Sequence, residues 1–481
     1  MSSFGGLSIA ISGIFAQQRS LDITGHNISN VNTKGYSRQN VIHSTSSPMQ
    51  IGYTSAGTRM SKGTGVDAVL VMQYRDEFLD IKIRKNNKEL GYWEAVQTGV
   101  EDLEGIFNDF SDEGIQSAMN NFWNAWDQLS KPTGRHTARA LVKESAIALV
   151  ESLHNTDKLL KDYRADKDKE IIENVNRINE ITNRIGELNE LILKVEANGA
   201  YANDFRDERN LLIDELSQLA DVQVIGSKSV TILMEGRAVV DRGIVEELKA
   251  VPDPSKNGMV KLVWEGDNQT VEISGGKIKA LFDTRDELVD RFRSRLDEMV
   301  KGLAKEINSI HISGYGISDD IHRKFFINSG DPTSDYIDMS NIAFNPELND
   351  YDNIAAALNP PPYNGEDNII ALKILEIRDR KVFGEENYDV TQAKYDFDEY
   401  YRNIILELGK TGMEAAITAE AHSSMNKELE NKKGTMMNVS MDEEMSNLIR
   451  FEHSYNASAR MVNVMDEMIE IIVNRLGLSG R

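Results

Sequence analysis

The apolar residues at the two ends of this chain recur with helical period, and neither end has enough adjoining sequence to bury them alone. Near the N-terminus, Phe4, Leu7, Ile11, Ile14, Leu21 and Ile28 form a heptad stripe interrupted at Gln18 and Gly25. Gly5, Gly6 and Gly13 lie within it, each costing about 1 kcal/mol relative to Ala in an isolated helix. Near the C-terminus, Met441, Met445, Leu448, Tyr455, Ala459, Val462, Ile469, Val473 and Leu476 repeat the pattern, interrupted at Glu452 and Asp466. Ser440 with Glu443 reads as a capping box, and Asp442, Glu443 and Glu444 put negative charge at the positive helix end. Gly477 ends the segment. Helices this poor in internal stabilisation need partners. They are expected to pair with each other, and their remaining apolar surface to be covered by other chains.

Between the ends, the pattern changes several times. Residues 36–75 read as short strands and turns punctuated by Gly63 and Gly65. From Asp76 to Val195 the pattern is helical with one break at Lys131-Pro132-Thr133-Gly134. Ile171, Val175, Ile178, Ile181, Ile185, Leu188, Ile192 and Val195 make one continuous stripe there, the mark of ordinary core. "EANGAYAND" reads as a loop and "FRDERNLLIDELSQLA" as a short helix. From Asp221 to Gly275 the residues alternate and are β-branched, which predicts a small inserted β-domain. Helix resumes at Gly276, residues 313–365 read as irregular with hairpins, and helix from about Asn368 fills the rest. The expected fold is mainly α with β insertions (α+β), elongated and multi-domain. It has paired terminal helices over 1–75 and 436–481, a helical-bundle middle domain over 76–220 and 276–435, and a small β outer domain over 221–275.

Chemistry is sparse. With 481 residues the length suggests roughly three domains. The formal net charge of −23 argues against binding nucleic acid or anionic membrane. No window approaches the ~18 consecutive apolar residues of a membrane span. The N-terminus lacks the basic and apolar regions of a cleaved secretory signal. Cys is absent, which excludes disulfides, thiolate metal sites and Cys nucleophiles. Gly63-Thr64-Gly65-Val66-Asp67-Ala68 fits a loose G-x-G-x-x-A, but "VDAVLVMQY" after it is strand-like, so it reads as a turn and strand. The eight His are scattered without zinc spacing, and His311 reads as a helix C-terminal residue favouring the dipole. "SDDIH" and "NGEDN" lack the ligand pattern of a calcium loop and read as solvated. Nothing asks for catalysis, a cofactor or a metal.

"HNISNVNTKGYSRQ", with Asn27, Asn30, Asn32, Gly35, Tyr36 and Arg38, resembles the N-terminal signature of bacterial flagellar axial proteins. Its Gly35-Tyr36-Ser37-Arg38-Gln39 ending is similar to that of the flagellar hook-associated protein 1 (hook–filament junction) family. "GTGVDAVLVMQYRDEFLDIKIR" resembles the family's Gly-strand and helix start. "YANDFRDERNLLIDELSQLADVQV" resembles its central helix, with Glu208 for the usual second Asp. "VSMDEEMSNLIRFEHSYNASARMVNVMDEMIEIIVNRLG" resembles its last helix, with Met441 for Leu. The region after "NSIHISG" is shorter than the family's.

The resemblance implies a structural subunit rather than an enzyme. It would join hook to filament as a ring of identical subunits, contacting the hook protein and the neighbouring junction protein. It would be exported unfolded through the flagellar export apparatus, without a cleaved signal, after a cytosolic export chaperone has held it. It would lie extracellularly in the flagellum, with no nucleic acid and no membrane insertion. The assembly interface would comprise Phe4, Leu7, Ile11, Ile14, Leu21 and Ile28 with Met445, Leu448, Tyr455, Val462, Ile469 and Leu476. The terminal helices would be weakly ordered until they pack into the tube. Alternatives are another flagellar axial component (the second junction protein or a hook protein), a cytosolic coiled-coil adaptor, which would stay with the cell pellet, or an enzyme using the acidic loops, which metal would stabilise.

Overall fold

A computed structural model of the chain describes residues 3–53, 59–107, 114–131, 135–256, 258–317, 320–361 and 367–475. Helix α1 (Ser3–Ser29) is followed by strands β1 (Gln39–Thr45), β2 (Met49–Tyr53), β3 (Arg59–Lys62) and β4 (Val66–Gln73). β1 and β4 pair antiparallel, with an irregular step between Ile42 and His43, and β2 pairs with β3. Gly65, at φ +127°, turns the chain into β4 where a Cβ would meet Ser12 of α1. The Gly63-Thr64-Gly65 turn therefore opens a strand.

Helices α2 (Glu77–Ile106), α3 (Ile115–Leu129) and α4 (Arg135–Ala197) come next. Asp76 caps α2 by accepting from the Phe78 and Leu79 amides. The sequence reading expected one break in this region, and there are two. α2 also ends at Ile106, where the Phe107 amide donates to the Leu103 carbonyl, and α3 starts afresh at Ile115. The break at 132–134 lies outside the described residues.

α5 (Asn203–Leu219) leads into the four-stranded sheet β5 (Val222–Ile225), β6 (Thr231–Met234), β7 (Arg237–Asp241), β8 (Ile244–Val245), in sequential order. A second sheet holds β9 (Leu248–Pro252), β10 (Val260–Trp264) and β11 (Thr270–Val271), with β10 central. α6 (Gly276–Phe282) continues through a π-helical turn, Asp283–Leu288, into α7 (Val289–His311). The hairpin of β12 (Phe326–Asn328) and β13 (Ile342–Phe344) follows. The chain ends in α8 (Ile369–Glu376), α9 (Phe397–Met437) and α10 (Met441–Arg475).

Helix does not fill the stretch after Asn368. Residues 377–396 are irregular: buried Phe383 bridges Tyr388 and Tyr395, and the amide of buried Val382 donates to the Tyr395 carbonyl. Asp389, accepting from the Thr391 amide and hydroxyl, turns the chain between those bridges.

Two apolar cores result. The first packs Phe122 and Trp126 of α3 against Phe325 and Phe326, and Trp123 against Phe397, with α2, the near half of α4, α7, α8 and the start of α9 around them. The second packs the far half of α4 (Ile171 to Ile185) on α5, α6 and the strands of 222–271. α4 thus contributes to both, and at 63 residues a helix is roughly 95 Å long. Its stripe from Ile171 to Ile192 is buried, and Val195 half-buried.

His311 departs from its expected role. It is buried, with Nδ1–H donating to the Arg323 carbonyl at 2.7 Å and Nε2 accepting from the Ala355 amide at 3.0 Å. A neutral ring satisfies both contacts, and a protonated ring would lose the second. Burial pulls its pKa from 6.5 down to about 4. Its stabilisation is therefore present above pH 6.5 and lost as pH falls towards 4, by about 3 kcal/mol at most. Asp207 and Asp297, pushed up to about 6 by burial, gain stability over part of the same window and mask it. Comparison with His311→Gln isolates the effect: its stability deficit, read from urea midpoints, should shrink by that amount between pH 7 and 4.

Candidate assembly site

The signature segment is the point at which three distant parts of the chain are tied together. Asn27, in the last turn of α1, is buried. Its Oδ1 accepts from the Tyr36 hydroxyl at 2.7 Å and the Gln39 amide at 3.0 Å. Its Nδ2 donates to the Gln39 carbonyl at 2.9 Å and to Glu444 Oε2 at 3.1 Å. One amide side chain thus pairs with both backbone groups of Gln39, as a strand would, and reaches α10 with its remaining hydrogen.

Glu444 sits in the first turn of α10 and is only 2% exposed. Arg38 neutralises it, with Nε and Nη2 each 2.8 Å from Oε1, while Nη1 reaches Glu443 at 2.7 Å. The Arg38 amide also donates to the Met437 carbonyl at the end of α9. Both acids were expected as helix-dipole partners, and Glu443 also as the capping-box acid. Their further role, holding the N-terminal segment, is visible only once residues more than 400 apart in sequence are adjacent.

On the other side, Ser37 donates its amide and hydroxyl to Asp207 of α5 at 2.8 and 2.7 Å. Gln39 donates to Asp204 and accepts from Asn203. The "NDFRD" start of α5 is therefore the receptor for "YSRQ". Burial pushes Asp207 up to about 6 against the opposing pull of Ser37 and Arg75. Burial first, then Asp204, Asp207 and Glu444, keep the Tyr36 hydroxyl protonated far above its usual range, so that it remains a donor to Asn27.

The other motif residues shape the turn. Asn30 donates to the His26 carbonyl and accepts from the Thr33 hydroxyl. Gly35 takes φ +82° against Leu211, a conformation that L side chains rarely adopt. Asn32 is exposed.

α1 lies along α10 and against β1 and β4. Its fully buried positions are small or polar: Ala10, Ala16, Ser20, Thr24 and Asn27. Gly6 and Gly13 allow close approach to Met465 and Ser458. The stripe residues lie elsewhere. Leu7, Ile14, Leu21 and Ile28 are half-buried, and Ile11 is 38% exposed. On α10, Leu448, Tyr455, Val462 and Ile469 are half-buried, and Met445 is 47% exposed. The Phe4 side chain and Leu476 lie outside the described residues. Met441, Ile449, Met461, Val464, Met468 and Ile471 are also exposed. One subunit thus joins the two helices without covering their apolar surface.

Family comparisons cover the same segments. Residues 7–36 match the family described as flagella basal body rod protein, and 435–476 match the C-terminal region of the flagellar basal body rod FlgEFG protein. Residues 100–326 match the flagellar hook-associated protein FlgK helical domain. Flagellar hook-associated protein 1 of Bacillus subtilis is 29% identical over 514 residues, covering 100% of both chains. The protein of that name from Escherichia coli is 22% identical over 548 residues, covering 97% of this chain and 98% of its own. The solved flagellar hook junction protein FlgK from Burkholderia pseudomallei superposes with a TM-score of 0.63 at 14% identity, over 75% of this chain and 100% of that one. The terminal signatures, the helical domain and the full-length relatives agree: the chain is similar along its whole length to flagellar hook-associated protein 1.

Proposed function

We propose that this chain is the structural subunit that joins hook to filament in the bacterial flagellum. The carrying observation is the pair of helices, α1 and α10, held together by Asn27, Arg38 and Glu444 while their large apolar side chains stay partly open. Such a face is stable only when other copies cover it. A closed ring supplies those neighbours by repeating one contact. The stripe residues from Phe4 to Ile28 and from Met445 to Leu476 are read as that contact. The terminal segments 1–75 and 436–481 form the inner layer in this reading, the helical regions the middle, and 221–275 the outer surface. The adjoining partners are the hook protein and the next junction protein, and the subunit reaches them by unfolded export after release from a cytosolic chaperone.

Deletion of the gene tests the assignment, with electron microscopy of the cells and an assay for filament protein in the medium. Hooks without filaments, with filament subunits lost to the medium, are expected. Missing hooks would assign the chain to the rod or hook instead, and normal filaments would overturn the junction role.

A further inference from the structure

A small cavity where α2, α5 and the loop after β5 meet is lined by four guanidinium groups, those of Arg75, Arg84, Arg206 and Arg209. A concentration of positive charge is unexpected in a chain of net charge −23. Three of the four have carboxylate partners. Arg75 pairs with Asp80, Arg84 with Asp214, and Arg206 with Glu196. Arg209 has none among the described residues, although it is 2% exposed. It donates only to neutral acceptors: the Asn189 side chain and the Lys228 and Ser227 carbonyls.

A buried cation without a counter-anion is costly. Burial and the three neighbouring arginines pull Arg209 down to about 10. Two donors are also unused: Nε of Arg209 and Nη2 of Arg75 are buried without hydrogen-bond partners. Of the two acids in the wall, Asp80 gives Oδ2 to Arg75 while its buried Oδ1 makes no hydrogen bond and faces Lys433 at 3.6 Å, and Glu77 is exposed at the start of α2. The cavity, about 120 Å³, has room for a tetrahedral ion or a carboxylate group.

We infer that this cavity is a binding site for one compact oxyanion, held by Arg209 and Arg75 with Arg84 and Arg206 around it. Several guanidinium groups around one small space suit an oxyanion, because hydrogen bonds from guanidinium to an anionic oxygen are charge-assisted and strong. The ligand would lock the loop at 226–230 to α4 and α5, because Arg209 already bonds that loop and Asn189 of α4.

Inorganic phosphate is the probe, titrated into the purified full chain at constant ionic strength against chloride. A saturable rise in Tm of about 2–4 °C is expected, with broadening of the phosphate ³¹P signal. Arg209→Gln should abolish both. Arg206→Gln, a partly exposed position whose carboxylate partner lies on the same surface, should weaken both in a chain that still folds. Sulfate acting like phosphate while acetate does not identifies a free tetrahedral ion. An equal acetate effect identifies a carboxylate, such as an acidic side chain of another subunit, and either result supports the site. No saturable effect of any of the three on the wild-type chain, or an undiminished effect in both variants, overturns it.

Discussion

Asn27→Asp should release α10 from the signature segment and abolish motility while both apolar cores stay folded. The side-chain amide now makes four hydrogen bonds, two as donor. A carboxylate of the same shape keeps the acceptor pair and loses the donor pair. Its second oxygen would then face the Gln39 carbonyl and, at 3.1 Å, the Glu444 carboxylate. Two buried bonds become two repulsions, a loss of about 3–5 kcal/mol. Arg38 cannot compensate, because it already serves Glu443 and Glu444. Hydrogen exchange should report it as lost protection in the first turn of α10, with α3 and α7 unchanged. Protonating the new Asp restores a donor, so protection should return below about pH 5. Wild-type protection with full motility would show that the Asn27–Glu444 contact does not hold the termini.

What could be read from the sequence divides along physical lines. The buried stripe of α4 was legible because large apolar residues at steps of three and four have one explanation. The strands of 222–271 were legible because β-branched alternation and Gly-flanked turns agree with each other. The site was half-legible. Asn27, Tyr36 and Arg38 stood out as a motif around Ser37, but the receptor acids Asp207 and Glu444 lie 170 residues from Ser37 and 406 from Arg38. Nothing local marks an acid as a receptor when the same acid also suits a helix N-terminus. The α1 stripe pointed to the large residues, whereas the intramolecular contact uses Gly6, Ala10, Gly13 and Ala16. Periodicity weighs size, and close helix packing selects against it.

That division between small and large residues underlies the second major expectation. Leu448→Asp should leave a folded, exported subunit that cannot assemble. Leu448 is half-buried in the single chain, so its contribution to the fold is a fraction of the about 1.5–3 kcal/mol of full burial. Neither apolar core includes it, and α1 and α10 remain tied through Asn27 and Glu444 four residues earlier. A neighbouring subunit that covers the exposed face around Met445 and Ile449 would strip water from the new carboxylate. That penalty recurs at every contact of the ring, where the wild-type side chain would have gained burial. Melting of the purified variant should therefore stay within a few degrees of wild type. Cells carrying it should show bare hooks and release the variant and filament subunits into the medium. Normal filaments would remove Leu448 from the interface. A matching collapse of the core transition would make α10 part of the folding unit, and export and assembly could then no longer draw on separate reserves of stability.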